Sequence, residues 1–332
     1  MDPLVFEPYF RPQVWGGRQL EEFLGRPLPG AGGFGEAWML SAQSLHVSQV
    51  AEGPLQGSRL SDLWSSRAAQ IAGQAREPAG PFPLLIKFLD CRELLSIQVH
   101  PSDQIARELG VGELGKSEAW VVLDAQPGTR IYAGLRRGTT RDDVQRQLDG
   151  GKLAQSLHEF APTKGDCLYL PAGVVHAVGG GVLMAEVQQS SDATFRLFDW
   201  NRLGADGKPR TLHRHEALRS IDWMAGPVTP AVGSPLTDLG PGNRGQRLVA
   251  CPYFTLDRFT LASPWDLPSS GRFSIWIVTE GRVELRRHEN SYRRQFRRGE
   301  TVLVPAASGA CSWTPSEGSV TLLGVSVPCV TH

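Results

Sequence analysis

Gly165-Asp166-Cys167-Leu168-Tyr169-Leu170-Pro171-Ala172-Gly173-Val174-Val175-His176 is the stretch on which the reading of this chain turns. Gly165 and Asp166 suit a turn, and Cys167 to Leu170 give a short apolar run fit for a strand. Pro171 and Gly173 then bend the chain within three residues, and His176 opens the next apolar run. One imidazole is thus delivered to the start of a strand by a tight turn.

The same rhythm continues on both sides. PLLIKFLD, LLSIQVH, AWVVLDA, TRIYAGL and GVLMAEVQ are short strand-like runs separated by Gly, Pro and Asp, and RFSIWIVTEG, RVELRR and TVLVPA repeat the pattern later. Frequent turns between short strands point to an all-β sandwich or barrel. Helical spacing of apolar residues after a polar start occurs in Ser58–Gly73, Thr139–Phe160 and His213–Trp223. The Gly- and Pro-rich stretch 226–247 has no apolar periodicity and reads as a linker. The expected organisation is a metal-binding domain with helical insertions over 1–225, that linker, and a second β-domain over 248–332.

Composition narrows the classes. The chain has 332 residues, 41% hydrophobic and 20% charged, and Lys+Arg equals Asp+Glu at 34 each. These are values of a globular protein, and the neutral total gives no reason to expect nucleic acid or an anionic membrane as partner. No run reaches the length of a membrane span, and the first residues lack a basic start followed by an apolar stretch. A cytoplasmic protein is expected. Five cysteines, Cys91, Cys167, Cys251, Cys311 and Cys329, are scattered with no C-x-x-C pair, so neither a disulfide framework nor a thiolate zinc site is expected. Only five of the 34 basic residues are lysines, and two of them, Lys87 and Lys116, fall close together near the strand-like runs. Lysine is the cation whose charge responds most readily to burial.

Two further runs supply metal-ligand chemistry. In Ser96-Ile97-Gln98-Val99-His100, strand alternation turns Ser96, Gln98 and His100 to one face. In Lys116-Ser117-Glu118-Ala119-Trp120 the same period groups Lys116, Glu118 and Trp120. Taken singly, a strand-end histidine is ordinarily structural and a lone glutamate ordinarily solvated. Taken with His176, imidazole, carboxylate and amide oxygen suit Zn²⁺ or a similar divalent ion with a position left open for substrate. His213 and His215 open a helical pattern, where positions two apart diverge, and are not expected to be ligands.

The G-x5-P-x-G-x2-H spacing from Gly165 to His176 resembles the second metal motif of cupins, small jelly-roll β-barrels. The wider series is similar to type I phosphomannose isomerases in their short bacterial form. It runs through Trp15-Gly16-Gly17, Gly35-Glu36-Ala37-Trp38, Pro83 to Asp90, Leu95 to Asp103, Gly115 to Trp120, Pro171 to Ala177 and Glu186 to Arg202. The likeness is sharpest between about Phe82 and Leu203. Softer matches, Cys251–Phe259 and Arg297–Ala306, resemble the family's C-terminal β-domain, which here offers no ligand histidine in the turn and strand that follow Pro305. The resemblance implies two cupin-type jelly-roll barrels with a few added helices, the second without metal. It implies interconversion of mannose 6-phosphate and fructose 6-phosphate, a small-molecule sugar phosphate as partner, and one divalent metal ion per chain, Zn²⁺ first, in a monomer or small homo-oligomer. Carried over by motif, Gln98, His100, Glu118 and His176 correspond to metal ligands. Arg196 corresponds to an essential arginine, and Lys87, Glu186 and Glu36 to catalytic polar residues. Ser96, Arg202 and Lys116 fall to substrate or phosphate.

The chemistry of such an isomerisation needs a base, stabilisation of an enediolate oxygen and a hold on the phosphate. Glu186 and Lys87 are the candidates for the base; a structural Lys87–Glu186 ion pair is the ordinary alternative. The chain departs from the family at Val14, where an acidic residue is common, at Phe195, where tyrosine is common, and at Ala193 in place of threonine. Two other functions compete. A non-catalytic sugar-phosphate-binding regulatory cupin would have lost Arg196, Lys87 or a ligand, and an iron-dependent cupin oxygenase would want more histidines and no phosphate grip.

Overall fold

The structure is a computed structural model that describes residues 1–73, 80–204, 207–267 and 271–328. Apart from a two-stranded ribbon, Ala42–Gln43 with His46–Val47, its strands form two pairs of facing sheets, so the fold is mainly β as expected. The first pair sets a six-stranded antiparallel sheet, ordered Tyr9–Gly17, Phe34–Leu40, Leu84–Cys91, Val182–Gln189, Glu118–Ala125 and Cys167–Leu170, against a five-stranded one. The latter runs Phe195–Phe198, Ile97–Val99, His176–Val178, Ile131–Leu135 and Leu157–Phe160. Leu89, Trp120, Val122, Ile131, Leu168, Val178 and Met184 from both sheets share one core between them. The second pair combines six strands between Ser234 and Ser326 with four between Trp265 and Pro315, around Phe259, Trp276, Leu285, Phe296 and Trp313.

The two six-stranded sheets also pack back to back. Leu84, Ile86, Phe88, Val121 and Val187 of the first share a core with Leu256, Ile275, Ile277 and Leu323 of the second. Central strands of the first sheet are therefore buried on both faces: every residue of Leu84–Cys91 and of Val182–Gln189 is buried. That explains why PLLIKFLD reads as a continuous apolar run with no alternation, as strands covered on both faces do. Lys87 and Glu186 are the charged exceptions at the centre of these strands, and they are exact cross-strand partners.

Helices fill the seams. Leu60–Ser66 and Ala68–Ala72 put Leu60, Leu63, Trp64 and Ile71 into the back-to-back core; the single helix expected over Ser58–Gly73 is broken at Arg67, whose φ of −130° is not helical. The helix Arg141–Asp149 starts at a capping box in which Thr140 and Asp143 satisfy each other's backbone N–H. Gly150 and Gly151 end it, so the expected helical run to Phe160 instead becomes a 3₁₀ turn, Leu153–Ser156, and the strand Leu157–Phe160. The stretch expected as a linker contributes the strand Ser234–Leu236 and the start of Arg244–Ala250 to the second six-stranded sheet. The chain's beginning is stitched to the far block as well, since Leu4 and Leu303 exchange backbone hydrogen bonds of 2.8 and 2.9 Å. Cys91, Cys167, Cys251 and Cys311 are free thiols, and Cys329 lies outside the described residues. Among the described residues no helix is long and apolar enough to cross a membrane.

Candidate metal and substrate site

The Gly165–His176 stretch folds as its residues suggest. Cys167–Leu170 pairs with Glu118–Val121, and Gly173 adopts φ +92°, where a Cβ would also strike Asp222 at 2.8 Å. The turn brings His176 beside Gln98 on one neighbouring strand and Ala133 on the other. Gln98 is in turn the cross-strand partner of Arg196. Thus His176, Gln98 and Arg196 stand side by side on three adjacent strands.

The donor atoms converge from there. His100, Glu118 and His176 are all buried, and their candidate ligand atoms lie within 4.8 Å of one another. His100 Nδ1 donates to Ala193 O at 2.8 Å and His176 Nδ1 to Val174 O at 2.9 Å, so each ring is held with Nε2 facing the cluster. Glu118 Oε2 lies 3.5 Å from His100 Nε2, and Oε1 lies 3.4 Å from His176 Nε2. Neither oxygen accepts a well-angled hydrogen bond, although Lys116 Nζ pairs with Oε2 at 2.7 Å. Gln98 Nε2 is 3.3 Å from His176 Nε2, and Ser96 Oγ donates to Gln98 Oε1 at 3.2 Å. A half-turn of this amide exchanges its oxygen and nitrogen, bringing the oxygen to the cluster. Two oriented imidazoles, a buried carboxylate short of hydrogen-bond donors and an adjacent amide fit a divalent ion.

Electrostatics favour the ligating forms. Burial and the Lys116 charge push the His100 pKa down to about 4, and burial lowers that of His176. Burial alone would raise the Glu118 carboxyl, but the Lys116 ammonium and the two rings hold it well below the usual range. The three are neutral, neutral and anionic at pH 7, the states a metal needs.

A polar cavity of about 310 Å³ opens over the cluster, lined among others by Ser96, Gln98, Lys116, Lys87, Glu186 and Arg196. Lys87 Nζ lies 3.2 Å from Glu186 Oε1 and 3.5 Å from Glu36 Oε2. Burial works against its charge, yet these two carboxylates raise its pKa above the ordinary lysine value. Glu36 is fixed by Gln13 Nε2 at 2.5 Å and Trp38 Nε1 at 2.6 Å. Glu186 Oε2 accepts from Trp120 Nε1 at 3.0 Å, while Oε1 accepts no hydrogen bond.

Comparison with known proteins gives the same address. The model of the phosphomannose isomerase type I catalytic domain matches residues 4–115. Mannose-6-phosphate isomerase ManA of Bacillus subtilis is 34% identical over 93% of this chain and 94% of its own. The chain belongs to the type I phosphomannose isomerases. A mannose-6-phosphate isomerase of Streptococcus mutans is 30% identical over 92% of each chain. The crystal structure of a Bacillus subtilis mannose 6-phosphate isomerase superposes with a TM-score of 0.89 at 29% identity, covering 98% of this chain and 100% of that one.

Of the family positions carried over by motif, ten gather at the cluster and cavity: Gln98, His100, Glu118, His176, Arg196, Lys87, Glu186, Glu36, Ser96 and Lys116. Arg202 does not. It is absent from the cavity lining; its guanidinium donates to Leu94 O and, at 2.6 Å, to Asp199 Oδ1. Lys116, expected at the phosphate, lies against Glu118 and 3.2 Å from His100 Nε2. Val14 is exposed, and the side chains of Ala193 and Phe195 are buried. Sequence reading missed Arg11, Gln13, Asp192 and Arg210 in the lining. Arg11, Gln13 and Trp15 alternate along the first strand, a period-two signal that was there to be read. His213 does not join the cluster of His100, Glu118 and His176; its Nδ1 accepts from Arg196 N at 3.3 Å and backs the arginine's strand.

Proposed function

We propose that this protein interconverts mannose 6-phosphate and fructose 6-phosphate. The observation that carries the reading is the cavity that sets Lys87, Glu186 and Arg196 beside an amide, two imidazoles and a carboxylate arranged for a divalent ion. In this reading Gln98, His100, Glu118 and His176 hold one ion, Zn²⁺ first, and such an ion polarises substrate oxygens when bound. Glu186 removes the C2 proton of the open-chain aldose and returns it to C1, while the O2 hydroxyl proton passes to O1. Its Oε1, which accepts no hydrogen bond and lies 3.2 Å from the Lys87 ammonium, supports that role. Lys87, which its carboxylate neighbours keep charged, serves as a proton donor to oxygen and not as the carbon base. Glu36 holds Lys87 in place, and Arg196 stabilises the negative charge that develops on the enediolate. The substrate is a small soluble sugar phosphate, and the setting a cytoplasmic monomer or small homo-oligomer.

A regulatory, non-catalytic cupin has less support, because Lys87, Glu186 and Arg196 all line the cavity. The deciding experiment is formation of fructose 6-phosphate from mannose 6-phosphate with and without a chelator. Turnover that the chelator stops and Zn²⁺ restores is expected, with loss in Glu186→Gln. A metal-loaded protein that makes no fructose 6-phosphate ends the proposal.

A further inference from the structure

The cations of the cavity are not equivalent. Lys87 is balanced by Glu36 and Glu186, Lys116 by Glu118, and Arg11 by Asp192 at 3.1 Å. Arg196 carries no ion pair among the described residues, and its partly buried guanidinium has Arg210 as its strongest charged neighbour. Arg210 forks onto Asp199, with Nε 2.7 Å from Oδ2 and Nη2 2.6 Å from Oδ1. The same carboxylate also takes Arg202. Three guanidinium groups around the single carboxylate of Asp199 leave a surplus of two positive charges, and only Arg196 and Arg210 of the three face the cavity.

We propose that Arg210, oriented by Asp199 and standing beside Arg196, is the residue that grips the substrate's phosphate, whereas Arg202 is a positioning residue beneath it. The proposal rests on the sugar-phosphate reading above. A phosphomonoester carries about −1.5 to −2 at neutral pH, which matches the surplus. The fork on Asp199 uses two of the five N–H groups of Arg210, leaving the others for phosphate oxygens in a fixed plane. Arg202 sits at the motif position but is steered elsewhere by the backbone. Trp200 and Asn201 both have φ +56°, an uncommon pair of left-handed non-glycine residues. Trp200 Nε1 donates to Leu95 O at 2.6 Å and Arg202 to Leu94 O, so the turn is pinned under the segment that presents Ser96.

The test uses metal-loaded enzyme and two readouts: KM for mannose 6-phosphate and the competitive inhibition constant of inorganic phosphate. Losing a charge-assisted hydrogen-bond pair is expected to raise both by roughly 10- to 100-fold in Arg210→Met, with kcat and metal content changed far less. Arg210→Lys keeps the charge, loses the fork and should fall between; it decides the matter if the methionine variant does not fold. Arg202→Met should lower thermal stability and move the phosphate constant much less than Arg210→Met. An unchanged phosphate constant in the Arg210 variants, or an equal rise in Arg202→Met, overturns the assignment. These outcomes are separable from the isomerase reading: a wild-type enzyme that turns over while Arg210 variants bind normally sinks only this inference. A wild type that binds phosphate through Arg210 yet forms no fructose 6-phosphate sinks the isomerase reading and leaves an anion site.

Discussion

Replacing Lys87 with methionine removes the ammonium that bridges two buried carboxylates, of which Glu36 keeps a longer contact to Arg11 Nη1 at 3.7 Å. Lys87 Nζ is 3.2 Å from Glu186 and 3.5 Å from Glu36, and all three side chains are less than a tenth exposed. At an effective dielectric near 20 each contact is worth roughly 5 kcal/mol before desolvation. Desolvation of the ammonium offsets part of this, and breaking such a pair by removing one partner costs about 3–5 kcal/mol. Methionine keeps the length of the stem, so the loss reports charge and not a cavity. With a total stability of about 5–15 kcal/mol for a typical domain, the variant folds but sits near threshold. The penalty depends on pH. Without Lys87, burial and mutual repulsion raise the folded-state pKa of at least one of the two carboxyls. A carboxyl so raised adds stability below its unfolded pKa and loses it as pH rises through the folded value, so the penalty shrinks from pH 7 toward pH 5. In wild type the raised lysine pKa keeps Lys87 charged throughout this window, so it adds no slope. Urea unfolding of both proteins at pH 5 and 7, in chelator so that metal linkage does not enter, measures the difference. A penalty under about 1 kcal/mol at pH 7, or one that is the same at both pH values, refutes the argument that the ammonium neutralises both carboxylates.

Three other outcomes are expected. His176→Ala should lose most bound metal and activity while the wild type holds one ion per chain, measured by elemental analysis; a variant that keeps its ion removes His176 from the ligand set. Arg196→Lys keeps charge but loses the planar fork, and kcat should fall by roughly a hundredfold with metal content and folding intact; normal kcat would make this arginine structural. Asp199→Asn should cost about 1.5–3 kcal/mol at pH 7 through its charged hydrogen bonds to Arg210 and Arg202. Burial raises the Asp199 carboxyl but the two arginines lower it further, so its contribution is present above the ordinary carboxylate pKa and lost as pH falls through the depressed value. The gap between Asp199→Asn and wild type should therefore begin to narrow below about pH 4 and keep narrowing toward the depressed value, as thermal unfolding scans at pH 7 and at steps below pH 4 would report.

Local sequence carried much of this protein. A Pro-x-Gly bend before His176 can be read from residues because turn geometry and strand alternation are short-range constraints. The same alternation placed Gln98 and His100 on one face. Chain segments beyond the reach of such rules were misread for physical reasons. Thr139–Phe160 kept helical spacing past Gly150-Gly151, yet Leu157–Phe160 joins a sheet because the strand Ile131–Leu135 offers it an edge. The stretch 226–247 looks like a linker by composition, but its residues 234–236 pair with 245–247. Lys87 and Glu186 were legible as polar intruders in apolar runs; that they face each other directly follows from strand register, which no local pattern states.

The division is clearest at the anion end of the cavity. The sequence by itself singled out Gln98, His100, Glu118 and His176 as candidate donors, because strand alternation and a tight turn are local constraints. It also marked Arg202 by motif as a phosphate residue. Only the tertiary structure decided that the left-handed turn at Trp200 and Asn201 carries Arg202 out of the cavity, while Asp199 draws Arg210 in beside Arg196. Which guanidinium faces the cavity depends on a carboxylate shared across a loop and on a backbone carbonyl about a hundred residues away, contacts that exist only once the sheets have closed.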